Sequence, residues 1–493
     1  MFSPSKFQQA IFNFVQNALG NAVINAVAGS GKTTTIVKAL ELIPTNKSVA
    51  FLAFNKAIVT ELRERVPSHV NVQTMHSLGW SAIIKSMTVK PVLNNKKVFN
   101  ILKTLSATWA VEDGVLELEA DYIARVKKIV DLAKNNLCSQ LDQLEILVER
   151  HDIEITNGEC GRALVALKAS YNDRTSFDFC DMLFIAAADP KIKMPTFDFI
   201  FVDECQDLNK AQQALLKKIM HADSRFIAVG DPQQAIYGFT GSDTESFRSL
   251  LSFPNTIELP LSVNYRCGKN IVKLAQAIVP QLQAHEGATE GEYDCNASYK
   301  TIKSGDMVLC RNTAPLVKMC LEFIGRGEKA FVKGGDVGAN LINLVKKAKS
   351  DKIPVMFNFL DKELGKIVKK MESKGMSKTD IEESAAFVNM TEKITVLQII
   401  SQDDAVDNCG DLIALITLIF SDEKAGICLS TIHKSKGLEA ENVYIIDRQL
   451  LPSKYAKKEW QQEQESNLEY VAYTRAKNYL GIVTDWTFYK KSA

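Results

Sequence analysis

Short apolar runs recur along the chain, each ending in a polar turn. AVINAV leads into AGSGKTTT, SVAFLAF into NKAIVTELRER, VNVQT into MHSLGW, FDFIFV into DECQDLN, and RFIAV into GDPQQAIYG. Later, DMVLC precedes RNTAP, ICLST precedes IHKSKGLE, and VYIID and LGIVT lie near the end. β-rich runs alternating with helical stretches predict α/β cores with parallel sheets and helices on both faces. Such sheets carry function on loops at the carboxyl ends of their strands, where these polar turns sit. Two stretches break the rhythm. From about Pro91 to Leu183 the pattern is helical, with ADYIARVKKIVDLAKNNL strongly periodic. From about Leu341 to Glu423 it is helical again, and Phe357, Leu360, Leu364, Ile367, Val368 and Met371 share one face. These stripes read as the core faces of two helical insertions. The expected organisation is a first core of residues 1–90 and 184–258 with an insertion at 91–183. A second core spans 259–340 and 424–493, with an insertion at 341–423.

The length, 493 residues, leaves room for two or more domains. The hydrophobic share of 46% and the charged share of 24% fit a globular protein. No run is apolar enough to span a bilayer. The start, MFSPSKFQQAIFNF, lacks the basic region and apolar core of a secretory signal. Ten cysteines with no Cys-x-x-Cys pair argue against a disulfide framework or a zinc site, and for a reducing compartment. At a net charge of +1, any nucleic-acid surface must be a local patch. Ten lysines against four acidic residues between Asn343 and Lys378 read first as a solvated helix face, and second as a nucleic-acid contact.

NAVINAVAGSGKTTT holds most of a phosphate-binding loop, but Ala26 stands where that pattern opens with glycine. Alanine there costs little unless the position needs a positive φ. Gly29, Ser30 and Gly31 can turn successive N–H groups onto one anion. Lys32 can reach the β- and γ-phosphates, Thr33 can offer a hydroxyl to Mg²⁺, and a helix starting through Thr34 adds its positive end. FIFVDECQD then gives an apolar strand tipped by Asp203 and Glu204. Asp203 suits a Mg²⁺ ligand, and Glu204 a base for the attacking water. An acidic pair after a strand also suits a helix N-cap. Together with Gly-Lys-Thr, the pair points to ATP hydrolysis.

FVDECQD, VGDPQQAIYGFTGS, LPLSVNYRC, STIHKSKGLEAENVYIID and NLEYVAYTRAKN follow in that order. With these motifs the chain resembles the UvrD/Rep-like branch of superfamily 1 DNA helicases. FLAFNKAIVTELRERVP and VNVQTMHSLG also resemble the F-box helicases and phage relatives of that branch. The matches run from about Phe2 to Val483. The resemblance implies two RecA-like P-loop domains with parallel sheets, ATP and Mg²⁺ in the cleft between them, and single-stranded DNA across their tops. It implies that Gln8, with adjacent Gln9 nearly as good a match, reads adenine; an amide can donate to and accept from the base edge at once. Gln234 would sense the γ-phosphate and couple it to DNA. Arg266 and Arg475 would reach the γ-phosphate as permanent planar cations. Tyr265 would stack on adenine, and Glu439 would hold the ribose.

For the strand path, the resemblance implies Phe54, Asn55, Thr74, His76, Tyr237 and Phe239, with His433 and Lys436 contacting phosphate or coupling the sites. Aromatic faces stack on any base, which suits sequence-independent stepping. Core packing is the alternative for Phe239, and a hydrogen-bonded loop histidine for His76. The chain departs from the pattern at Phe239-Thr240-Gly241, where close relatives carry an aromatic-arginine-glycine run. Its second insertion is shorter than in the large bacterial members, and no nuclease-like extension follows Arg475. The expected activity is ATP-driven strand separation with 3′ to 5′ travel on single-stranded DNA and its junctions with duplex. The alternatives are a 5′ to 3′ helicase, a translocase that strips proteins and unwinds weakly, an RNA motor, and a nucleotide-gated scaffold. Replication or repair proteins are the expected partners, with no membrane. The expected location is wherever the DNA is, cytoplasmic or nuclear, and not secreted.

Overall fold

Strands flanked by helices on both faces need apolar residues at consecutive positions rather than at alternate ones. VAFLA is such a run, buried at all five positions. The computed structural model describes residues 3–115, 118, 120–151, 153, 155, 158–236, 245–373, 375–421 and 425–489. The chain forms two units, Met1–Ser262 and Val263–Ala493.

The strands of the first unit are β1 (Asn21–Ala26), β2 (Val49–Ala53), β3 (Val70–Thr74), β4 (Val92–Leu93), β5 (Ser176–Phe177), β6 (Phe197–Val202), β7 (Met220–Gly230) and β8 (Thr256–Leu261). Six of them make one sheet in the order β3-β2-β6-β7-β1-β8, with every pairing parallel. Their carboxyl ends therefore share one edge. The helices Lys32–Leu40, Lys56–Arg63 and Met75–Ser86 follow β1, β2 and β3, so their positive N-terminal ends meet at that edge. One sheet face packs Ile11, Ile36 and Leu40 against Ile24, Phe51 and Phe201. On the other face Val23, Leu52 and Ile200 join a cluster with Val126, Ile129, Leu144 and Ala163 from the helical insertion. The insertion's apolar stripe is thus core, as its periodicity predicts. β4 and β5 pair in parallel and staple its two ends together.

The second unit contains β9 (Val263–Asn264), β10 (Gln283–Ala284), β11 (Glu292–Ala297), β12 (Met307–Cys310), β13 (Ala330–Val332), β14 (Ile427–Thr431), β15 (Ala440–Ile445) and β16 (Ala476–Val483). Its main sheet runs β11-β16-β15-β12-β14-β13, again all parallel. Helices Gly335–Lys347, Ile353–Glu372, Lys378–Glu383, Ala385–Ser401 and Cys409–Ile419 lie between β13 and β14. On Ile353–Glu372, Leu360 and Met371 are buried, Phe357 and Leu364 pack against the core, and Ile367 and Val368 are half-buried. Lys346, Lys347, Lys362, Lys366 and Lys369 are exposed, as a solvated face requires.

Two parallel six-stranded sheets fit the expected pair of RecA-like domains. The division after Ser262 falls beyond residue 258 because Thr256–Leu261 is one continuous strand. Among the described residues no helix is long and apolar enough to cross a membrane.

Candidate functional site

The loop after β1 turns through two left-handed glycines, Gly29 (φ 65°) and Gly31 (φ 74°). Gly31 directly precedes the helix Lys32–Leu40. Ala26, by contrast, ends β1 without a positive φ, so the position does not require glycine. Its carbonyl accepts a hydrogen bond from Lys32 Nζ at 3.0 Å. Ser30 is fully buried, and its Oγ has no hydrogen-bond partner among the described residues. A buried orphan hydroxyl on a turn between two left-handed glycines suits a phosphate oxygen. Thr33 and Thr34 are half-buried on the first helical turn.

Gln8 is tied to this loop. Its Nε2 donates to Thr35 Oγ1 at 3.0 Å, and Thr35 Oγ1 donates to Gly31 O at 2.9 Å. Gln8 Oε1 also accepts from Ser5 N at 3.0 Å, completing a capping box on the helix Lys6–Asn17. Gln9 points elsewhere, exposed and bonded to Asn13. The geometry therefore favours Gln8 over Gln9 as the residue beside the nucleotide loop.

Asp203 and Glu204 follow β6. Glu204 stands at the N-cap position of a short 3-10 turn, Cys205–Asp207, but its side chain makes no capping hydrogen bond there, and the following helix, Lys210–Lys218, is capped by Asn209. Glu204 sits in the left-handed region (φ 50°), an unfavourable conformation for a residue with a Cβ. Asp203 accepts from the Glu204 backbone N–H at 3.0 Å, and the Gln206 amide donates to the Glu204 carboxylate.

Asp231, which the sequence reading overlooked, organises the centre. It follows β7, is fully buried, and lies 3.8 Å from Lys32 Nζ. Gln234 Nε2 donates to its Oδ2 at 2.9 Å, and its backbone N–H donates to Gln206 Oε1 at 3.0 Å. Burial pushes its carboxyl above the usual range, and Lys32 opposes that shift. Gly230 makes this approach possible: a Cβ there would lie 2.3 Å from Gln206 Oε1 and 2.8 Å from Cys205 Sγ. Lys32, Glu204, Gln206, Asp231 and Gln234 thus form one connected polar cluster.

Further along the same edge, Phe54 is exposed after β2. Asn55 and Thr74 cap the helices that start beside them, accepting from Ile58 N at 3.0 Å and Ser77 N at 3.1 Å. His76 stacks on Phe179, with ring centroids 4.0 Å apart and planes inclined by 20°. Burial lowers the His76 pKa to about 4, so the ring is neutral near pH 7. Phe179 was also missed by the sequence reading; the residue is 54% exposed. Buried ion pairs fix the turn that carries it: Lys97 with Asp181 at 2.8 Å, and Lys134 with Asp178 at 2.5 Å and Asp181 at 2.7 Å. The available signal was FDFCD, an aromatic held between two acidic residues. Tyr237 and Phe239 lie outside the described residues.

In the second unit, Arg266, Glu439 and Arg475 come together. Arg266 Nε pairs with Glu439 Oε2 at 2.7 Å, and its Nη1 donates to Thr474 O at 3.2 Å. Buried Asn264 sets this loop by accepting from the backbone N–H groups of Arg266 and Cys267. Burial works to raise the Glu439 carboxyl, but Arg266 and Lys477 hold it below the usual range. Arg475 is 1% exposed and donates to Val471 O and Leu438 O at 3.0 Å each. Tyr265 is exposed and tilts against His285, with centroids 4.8 Å apart. His433 and Lys436 lie on the turn after β14. Burial, reinforced by Arg311, lowers the His433 pKa to about 3, so at neutral pH it offers an N–H rather than a cation.

Comparison with known proteins shows the family. The UvrD/REP helicase N-terminal domain matches residues 7–254, and the UvrD-like helicase C-terminal domain matches residues 338–485. The chain is 28% identical to ATP-dependent DNA helicase Rep of Buchnera aphidicola over 53% of its length and 41% of that protein. It is 26% identical to F-box DNA helicase protein 1 of Schizosaccharomyces pombe, over 52% and 30% respectively. It is 25% identical to ATP-dependent DNA helicase PcrA of Staphylococcus aureus, over 54% and 38%. The matched regions therefore span less than half of each of these relatives. With both of its units matched in sequence order, the chain belongs to the UvrD/REP helicase family.

Proposed function

We propose that the protein is an ATP-hydrolysing motor that travels on single-stranded DNA, 3′ to 5′, and separates strands. The observation that carries the reading is the cluster of Lys32, Glu204, Asp231 and Gln234 at the edge where β1, β6 and β7 end. The turn Gly29–Gly31 and the orphan Ser30 hydroxyl bind the phosphates. Lys32 neutralises charge on the β- and γ-oxygens. The Thr33 hydroxyl and the Asp203 carboxylate would hold Mg²⁺, a ligand set that fits because this ion usually takes one or two carboxylates plus substrate phosphates. The metal supplies positive charge where the leaving oxygens gain negative charge. Glu204 orients the attacking water and takes its proton. In the first unit Gln8 reads adenine; in the second unit the resemblance assigns Tyr265 to adenine, Glu439 to the ribose, and Arg266 and Arg475 to the γ-phosphate in the transition state. Asp231 links Lys32 to Gln234, so loss of the γ-phosphate is felt at Gln234.

The same edge supports a strand path. Helices capped by Asn55 and Thr74 present positive ends to backbone phosphates. Phe54 and the His76–Phe179 stack present aromatic faces to bases. In the second unit, His433 and Lys436 contact strand phosphate. ATP turnover is expected to rise several-fold on adding single-stranded DNA. The DNA affinity should fall steeply with salt, because phosphate contacts release counterions. Turnover indifferent to DNA, or binding indifferent to salt, would contradict this path.

A further inference from the structure

Arg225 has no place in the phosphate chemistry, yet it is one of the most heavily bonded side chains of the first unit. It projects from β7 and is 9% exposed. Its Nη2 donates to Phe14 O at 2.9 Å, its Nη1 to Val15 O at 2.9 Å, and its Nε to Gly20 O at 3.0 Å. The guanidinium also lies over the rings of Phe14 and Phe199, at 5.1 and 5.2 Å from their centroids. No carboxylate pairs with it among the described residues. Its counter-charge is the negative end of the helix Lys6–Asn17, whose own last turn contains no basic residue. Burial pulls its pKa down, but a guanidinium starts far above neutrality and stays charged.

That helix carries Gln8 near its other end. Its twelve residues span about 18 Å. Its apolar face packs into the core through Ile11, Phe12 and Val15, and two polar fastenings fix its ends: Gln8 on Thr35 at the start and Arg225 on the carbonyls at the end. β7, the strand that bears Arg225, runs on to Gly230 and delivers Asp231 to Lys32. One strand therefore holds the helix that carries Gln8 at one point and the phosphate cluster at its tip.

We infer that Arg225 is a positioning residue for nucleotide-base recognition: by gripping the C-terminal end of the Lys6–Asn17 helix, it fixes the setting of Gln8 relative to the phosphate loop. The inference rests on the proposal that Gln8 reads the base. A three-pronged grip on separate carbonyls needs the planar fork of arginine, which lysine cannot reproduce.

The test compares ATP with CTP as substrates in DNA-stimulated hydrolysis, for wild type, Arg225→Lys, Arg225→Met and Gln8→Ala. Arg225→Lys keeps the charge and the stem, so it preserves the fold best. Its KM for ATP is expected to rise about fivefold with kcat within about twofold, and its preference for ATP over CTP to shrink. Arg225→Met should shrink that preference further, towards the value of Gln8→Ala. A purely structural Arg225 would lower the unfolding temperature and leave the ATP-to-CTP ratio of kcat/KM unchanged. If Gln8→Ala loses base preference and both Arg225 variants keep it, the positioning role is overturned while the Gln8 reading stands. If Gln8→Ala itself keeps the preference, the Gln8 reading fails and the Arg225 inference falls with it.

Discussion

Replacing Lys32 with alanine is expected to reduce ATP turnover by at least about 10²- to 10³-fold, the usual loss when one preorganised electrostatic contact to the transition state is removed. The structure gives a second reason for a large effect. Lys32 Nζ bonds Ala26 O and lies 3.8 Å from the fully buried Asp231 carboxylate. Burial already raises the Asp231 pKa, and the ammonium is what opposes the shift. Without Lys32, Asp231 takes up a proton more readily, and Gln234 loses a charged acceptor. Phosphate release measured with saturating single-stranded DNA checks this. Turnover above about a tenth of wild type would mean that Lys32 does not face the transferred phosphate.

Replacing Arg475 with alanine is expected to lower turnover by a similar factor of about 10²–10³ and to leave ATP binding within about twofold, because the proposed contact forms in the transition state. The geometry adds a stability cost. The Arg475 guanidinium donates to Val471 O, Leu438 O and Thr474 Oγ1, joining the turn before β15 to the turn before β16. Losing those donors removes the hydrogen-bond partner of Leu438 O and weakens the turn, while Val471 O keeps its bond from Thr474 Oγ1; each lost hydrogen bond costs about 0.5–1.5 kcal/mol. The unfolding temperature should therefore drop too. Arg475→Lys separates the two effects, since it keeps a cation and loses the fork. Binding of a fluorescent ATP analogue, phosphate release and thermal melting together decide. Lost nucleotide binding with normal melting would place Arg475 in ground-state binding instead.

The parts of the fold that sequence reveals are those where one requirement dominates. β1, β2, β6 and the apolar part of β7 are buried on both faces, so burial leaves a continuous apolar run. β8 escapes because it is an edge strand: TIELPL carries Glu258 and Pro260, and an edge tolerates both. β11, EYDCNA, is the edge of the other sheet and is polar for the same reason. The phosphate loop was legible because Gly-Ser-Gly-Lys-Thr combines conformation and chemistry in five residues. Ala26 looked like a departure, but its backbone never needed glycine. Asp231 was hidden inside GDPQQ, where an aspartate before proline reads as an ordinary turn residue. Its role depends on the neighbouring strand placing Lys32 beside it, which is a long-range fact. Phe179 and Arg225 were hidden likewise, since their partners lie 103 and more than 200 residues away in sequence.

The central claim is that ATP hydrolysis at this edge drives strand separation in one direction. Two matched DNA duplexes, one with a 3′ single-stranded tail and one with a 5′ tail, test it most directly, with Lys32→Ala as the blank. The account predicts ATP-dependent unwinding from the 3′ tail only, absent in the blank. Unwinding from the 5′ tail alone would contradict the direction of travel. No unwinding from either tail, with DNA-stimulated ATP turnover intact, would contradict strand separation and leave a translocase.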